Sequence, residues 1–548
     1  MFTRLLRLLF ARIHLLQARR GAAVKRLTVS GAALLTLFLW SSAGHSQLID
    51  RTQQPNVANE GIAKTLSEEN GAGRGDILTP NSSLFIINRD TFRAIRRGRQ
   101  LFQRKFTQAE GQGPRLDDGT GDLSANLDRG AGLTDSCAGC HGRPRGSAGF
   151  GGDVATRPDS RDAPHLFGLG LKEILADEIT TDLRAIRARA ISQASSWCHT
   201  VTLPLMSKGI QYGAITAHRD GSLDTSQVQG VNPDLRVRPF FAHGGKISIR
   251  EFIVGAFQAE MGLQAVDPDL AIAHAGGRIT TPAGMVLDGS LDQLEAPPTD
   301  DSAADLDGDG VTNEVPAALV DYLEFYLLNY FKPATYEQSH HTDRGRRMFR
   351  EMKCTTCHIS DLEILHDRRV ADVQTVFDPV NGVFNGLFAT ATPLHDTMND
   401  SSGFPALQPP RLESFLVKNV FTDFKRHNLG PNFYERNYDG TVRTDFLTTP
   451  LWGVGSTAPY GHDGRSINLT EVILRHGGEA QESAQAFANL SDSKQRDLLD
   501  FLNSLVLFPP DDTASNLNPA NPNTPGFPQF GHGSIKLSVL FRDPTDPE

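Results

Sequence analysis

Cysteine is scarce in this sequence: five residues in 548 are too few to staple a chain of this size, which excludes a disulfide-built scaffold. Long apolar runs are scarce too. After residue 40 none is long enough to cross a bilayer, and the mean hydropathy is −0.30. Positive charge is also in deficit, with 54 Lys and Arg against 64 Asp and Glu. That balance makes nucleic acid and anionic lipid surfaces poor partners. What remains, 39% hydrophobic and 22% charged, is ample for folded cores, and the length suits two or three domains.

The first residues differ in kind. Seven basic residues (Arg4, Arg7, Arg12, Arg19, Arg20, Lys25, Arg26) and no acidic ones precede the apolar stretch 27–40, and small residues follow at 41–46. This is the layout of a secretory signal over residues 1–46, with an uncleaved membrane anchor as the alternative. Removing it leaves 47 Lys and Arg against 64 acids, a charge near −17. A periplasmic location is expected, with no membrane span in the mature chain. A small basic redox protein, as electron donor or acceptor, would be steered towards such a surface.

Four of the five cysteines form Cys137-Ala-Gly-Cys140-His141 and Cys354-Thr-Thr-Cys357-His358. The spacing lets two thiols add across the vinyl groups on one haem edge while the next residue turns its imidazole under the iron. Two covalently bound haem c groups are therefore expected. The rivals fit less well. A redox dithiol does not need the following His. A zinc site needs four ligands in one cluster, yet the pairs lie more than two hundred residues apart.

A helix is expected before each motif, over Phe92–Phe106 and Thr342–Met352. Both carry the pattern R-G-R-x-Φ-F, at Arg97–Phe102 and Arg344–Phe349, in which the Gly permits close helix packing and the Phe faces the haem edge. This reads as an internal duplication. The fold class expected is mainly α, with two cytochrome c-like haem domains in tandem and loop-rich insertions. Residues 47–85 read as an N-terminal extension, 86–330 as the first haem domain, 331–508 as the second, and 509–548 as a Pro-rich tail. Helical periodicity marks Leu171–Ser192, Ile249–Met261, Val315–Tyr330, Leu469–His476 and Ser491–Leu505, and 200–240 reads as an inserted loop or hairpin.

Asp305, Asp307, Asp309, Val311 and Glu314 resemble a calcium loop, with Gly310 at the sixth position. Pro316 stands where a bidentate acid is expected, and a solvated acidic turn is the alternative. Cys198 is expected as a buried free thiol rather than a reactive one.

With both haem motifs, three further segments resemble the bacterial di-haem cytochrome c peroxidase superfamily, and within it the di-haem oxidoreductase branch. They are Pro164–Leu171, Phe240–Gly245 running on to Glu260-Met261-Gly262, and Thr449–Gly455 with Ala458–Arg465. The resemblance covers roughly residues 86–508. It implies that peroxide or a related small oxidant reacts at the first haem, with electrons passed through the second. It places Glu260 as the distal proton donor and His476 as the second haem's distal ligand, against a surface His as the alternative. It leaves His243 either over the first haem or capping a turn. The Trp often found between the haems is Ala242 here, and the distal Gln and Pro are Phe252 and Ala256, which puts fast peroxide cleavage in doubt. No His occurs between His141 and His165, so the usual blocking ligand of the first haem is missing from that stretch and an open iron is expected. Calcium between the haem domains is also common in the superfamily. An electron-transfer di-haem cytochrome without its own substrate, and a di-haem oxidase or oxygenase of an organic substrate, are the competing functions.

Overall fold

The repeated R-G-R-x-Φ-F pattern predicts two tight helix crossings, and both are present in the computed structural model. It describes residues 65–113, 134–142, 148–149, 153–154, 161–330, 332–335, 338–377, 387–393, 397–399, 405–407, 414–437 and 440–507. Contacts divide the chain into Met1–Pro55 and Asn56–Glu548, and every described residue lies in the second unit. The expected signal segment (1–46), residues 47–64 of the extension and the tail (509–548) lie outside the described residues.

Helix α1 (Leu66–Asn70) opens on a capping box between Thr65 and Glu68, and α2 (Ser83–Arg89) is capped by Ser82. Arg74, between them, donates to Asp269 at 2.7 Å and lies 3.4 Å from Asp321. Residues 65–85 are therefore folded onto the body of the protein, which the sequence had marked only as extension.

Helix α3 (Thr91–Gln103) crosses a later helix at Gly98. A Cβ there would lie 2.2 Å from the Tyr322 carbonyl oxygen and 2.4 Å from the Tyr326 Cβ. Helix α4 (Cys137–His141) is a single turn. Helix α5 (Leu169–Trp197) is longer than expected at both ends, and its first half is buried. Next come the antiparallel strands β1 (Val201–Ser207), β2 (Ile210–Ala217) and β3 (Leu223–Asp224), the hairpin expected within 200–240. Cys198 is a correction: it sits beyond the last turn of α5 in the left-handed region and is exposed, because the helix end runs out past the core.

Helix α6 (Ile249–Ala256) passes into a π-turn at Phe257–Met261, and α7 (Pro268–His274) follows. Helix α8 (Ala317–Leu328), the partner of α3, is buried along nearly its whole length. A helix enclosed on all sides must satisfy its polar groups internally. Asp321 and Glu324 do so on Arg250, which is 0% exposed and donates to them at 2.8 and 2.9 Å, and to Asp267 at 3.0 Å.

The second crossing joins α9 (His340–Glu351) to the last described helix. Between them lie α10 (Leu469–Arg475) and α11 (Gln481–Ala488), before α12 (Asp492–Asn503). A Cβ on Gly345 would lie 2.0 Å from the Asp497 carbonyl oxygen and 2.7 Å from the Phe501 Cβ. Short antiparallel ladders not expected from the sequence occur between residues 362 and 447, such as Ala371–Phe377 with Leu387–Pro393. The described chain is helix-rich, with one large buried cluster reaching from Ile86 to Leu507 and a smaller one around Phe349, Phe421, Phe487 and Phe501. No helix among the described residues is long and apolar enough to cross a membrane.

Candidate functional site

The first motif is held as a helical turn by Ser136, whose hydroxyl accepts the Gly139 N–H at 3.0 Å. Three residues apart on that turn, Cys137 and Cys140 share a face. With His141 they line a pocket of about 520 Å³, counted with the solvent at its mouth, which Phe102 also borders. The same pocket is lined by Phe252 and Ala256 of α6 and by Glu260 on the π-turn. One-turn π insertions recur at functional sites, and this one carries the residue singled out as proton donor. His243 is not among the lining residues; its ring stacks on Phe241 with centroids 6.0 Å apart.

All five cysteines are free of disulfides. Burial pushes the Cys137 thiol up to about 12 and Cys140 up to about 11, with the charge of Glu260 adding to the latter. Cys354 is likewise pushed up by burial to about 12. Such groups stay protonated at neutral pH, unlike reactive dithiols, which are tuned the other way.

The two motif histidines share one arrangement. His141 Nδ1–H donates to the Pro164 carbonyl at 2.7 Å, and His358 Nδ1–H to the Phe421 carbonyl at 3.0 Å. Burial lowers each pKa to about 4, although these carbonyls favour the proton. Each ring is thus neutral with its Nδ1 tied to backbone. A metal-binding imidazole needs that state, the second hydrogen bond setting tautomer and orientation.

His476 lies at the end of α10, where its Nδ1–H donates to the Val472 carbonyl at 2.7 Å. Burial lowers its pKa as well. A charge on it, like one on His427, disfavours protonation of His358. The Phe349 ring stands 5.9 Å from His358. The residues present fit two haem c groups, the second with His358 and His476 available to its iron.

His427 is the main feature that the sequence reading passed over. Its Nε2 lies 2.8 Å from Asp423 and its Nδ1 2.7 Å from Glu479. Burial opposes its charge, but Asp423, Cys357 and Glu479 raise its pKa to about 11. With both nitrogens committed to carboxylates, it is a poor iron ligand. The acid four residues earlier was a legible signal.

The Asp305, Asp307 and Asp309 carboxylates come within 4.8 Å of one another. Asp305 accepts the N–H groups of Gly308 and Gly310 at 2.7 and 3.0 Å, which curls the loop around them. Val311 can offer only its carbonyl. Glu314 accepts the Gln264 N–H at 2.8 Å, and burial raises its pKa to about 8. The group of carboxylates drawn together is three, without Glu314.

Residues 394–505 match the family model described as "Di-haem oxidoreductase, putative peroxidase", which bears out the resemblance read from the sequence over that segment. The match takes in Thr449–Gly455 and His476 and stops short of both Cys-x-x-Cys-His motifs. Among solved structures, a MauG-like protein associated with microbial copper homeostasis aligns over 72% of this chain and 91% of its own, at 13% identity and a TM-score of 0.25. That superposition is too low to equate the folds. No curated protein matches the chain.

Proposed function

We propose, taking the di-haem oxidoreductase likeness of residues 394–505 as the premise, that this chain is an exported di-haem c-type oxidoreductase built from two cytochrome c-like domains. In this reading it reduces peroxide or a related small oxidant at the first site, and a small redox protein supplies electrons through the second. The observation that carries it is the repeated unit of two half-buried thiols followed by an imidazole anchored through Nδ1 to a backbone carbonyl. Cys137, Cys140 and His141 would hold one haem; Cys354, Cys357, His358 and His476 would hold the other. Bound haem supplies one-electron chemistry and a place for the oxidant.

The chain's own residues do the rest. Leu166, Ile253, Phe257 and Leu323 give the first cavity apolar walls that restrict water. Glu260, among the residues that line it, would hold a proton and pass it to an oxygen leaving group. Phe252 and Ala256 offer no further polar partner, and a missing donor at such a site commonly costs about a hundredfold or more in rate. Peroxide turnover is therefore modest, and lower again in Glu260→Gln. Haem staining on denaturing gels, with the intact mass, gives two haems per chain. EPR of the oxidised protein shows an open or water-ligated first iron. A six-coordinate first haem that ignores peroxide favours the electron-carrier reading instead.

A further inference from the structure

Ala242 stands where the resemblance places an aromatic bridge between the haems, so electrons need another route. The hydrogen bonds behind the two motif histidines supply one. His141 Nδ1–H donates to the Pro164 carbonyl at 2.7 Å. The next residue, His165, donates from Nε2–H to the Trp452 carbonyl at 2.7 Å. Leu451, adjoining Trp452, donates its N–H to the Val420 carbonyl at 3.2 Å. Phe421 follows Val420, and its carbonyl accepts His358 Nδ1–H at 3.0 Å. The two imidazoles are therefore the ends of one continuous run of covalent bonds and four hydrogen bonds.

Between those ends the run is backbone except at His165, whose side chain joins segments 287 residues apart. The ring is fixed in place. Its Nδ1 accepts the Phe167 N–H at 3.2 Å, and it meets the Phe167 ring edge-on at 6.2 Å. Burial lowers its pKa to about 4, so it is neutral and adds no charge that an arriving electron would have to reorganise. Electronic coupling falls less steeply through bonds and hydrogen bonds than across an empty gap, and this run leaves no gap between the two imidazoles.

We infer that His165 is the conduit through which an electron passes between the two redox sites, an inference that rests on the di-haem reading above. The transfer would be of a single electron: the group held by His358 would be oxidised by one, and the group held by His141 reduced by one. No bond is made or broken and no proton moves. The small redox protein replaces the electron at the second site.

The test uses the full chain carrying both haems. A flavin photoreductant delivers one electron in a flash, and absorbance follows its equilibration between the haems. In His165→Leu the inter-haem rate falls by an order of magnitude or more, while haem content, both EPR signals and both midpoint potentials stay as in the wild type. His165→Gln, whose amide can still donate to the Trp452 carbonyl, recovers most of the rate. If His165→Leu takes up no haem, His165→Asn replaces it, since the shorter amide falls short of that carbonyl. A wild-type rate in the haem-loaded Leu or Asn variant, or a Gln variant no faster than it, overturns the route alone. A wild-type chain with fewer than two haems overturns the di-haem reading and the route with it.

Discussion

Replacing Gly345 by Ala sets two opposed effects against each other. In an unobstructed helix interior the change is favourable by up to about 1 kcal/mol, because Ala loses less backbone entropy. At this position the added Cβ meets the Asp497 carbonyl oxygen at 2.0 Å and the Phe501 Cβ at 2.7 Å, where ordinary contact begins at 3.4 Å. The first obstacle is backbone inside α12 and cannot rotate aside. Helices α9 and α12 must part by roughly 1.4 Å to relieve it. Parting also loosens Phe349 from Phe501, whose ring centroids are 5.7 Å apart. Overpacking of this kind costs about 1–3 kcal/mol. Because the obstacle is backbone, the cost lies in the upper part of that range, and after the propensity gain a net loss of roughly 1–2 kcal/mol remains. Urea unfolding followed by circular dichroism, extrapolated linearly to water, reads this as a lower midpoint at unchanged slope. Gly98→Ala, with its Cβ 2.2 Å from the Tyr322 carbonyl oxygen, falls in the same direction. Variants as stable as the wild type, or more stable, refute the close crossings.

Three further outcomes are expected. His476→Ala converts one low-spin EPR signal to high-spin while leaving the other unchanged; an identical spectrum places the ligand elsewhere. Adding calcium to chelated protein raises its melting temperature, and Asp307→Asn removes that rise; a melting temperature indifferent to calcium returns the loop to a solvated acidic turn. Arg344, with His341, lowers the Asp497 pKa to about 2, below the value of about 3.9 for an unfolded chain. The pair's contribution to stability is therefore complete above about pH 4 and is lost as pH falls through about 2. Asp497→Asn flattens that limb in urea midpoints measured between pH 2 and 5, and an unchanged limb means the pair adds nothing.

What the sequence made legible is what repeats or is periodic. The helix at 249–261 and the crossing helices carry an apolar rhythm, and the Gly of each R-G-R-x-Φ-F unit announces a close neighbour. The π-turn at Phe257–Met261 has no side-chain signature, since it adds one residue to a helix that already looks continuous. Helix α5 outruns its apolar rhythm because its last turn packs against little. The anchors of His141 and His358 were hidden for a different reason: their partners are backbone carbonyls, which every residue possesses. Glu260, Phe252 and Ala256 were found through the resemblance and do line one cavity. His243, found the same way, does not. Glu479, which completes the pair of carboxylates on His427, lies 52 residues away and leaves no local trace.

The staple made by Arg74 bears on the order in which the chain assembles. Arg74 reaches Asp269 across 195 residues, and Ser83 reaches Asp321 across 238. During synthesis this segment leaves the ribosome long before its partners exist, so it must wait unpaired. Closing loops of that length is costly in entropy before any contact rewards it, which puts docking of the segment late, after α6, α7 and α8 have gathered around Arg250. Until then Asp269 and Asp321 share Arg250 without their second cation. A fragment cut at residue 86 would stay permanently at that stage, with carboxylates 1% and 0% exposed in the folded chain opened towards water. Such a fragment lacks both the cation and the hydroxyl that these carboxylates use in the folded chain.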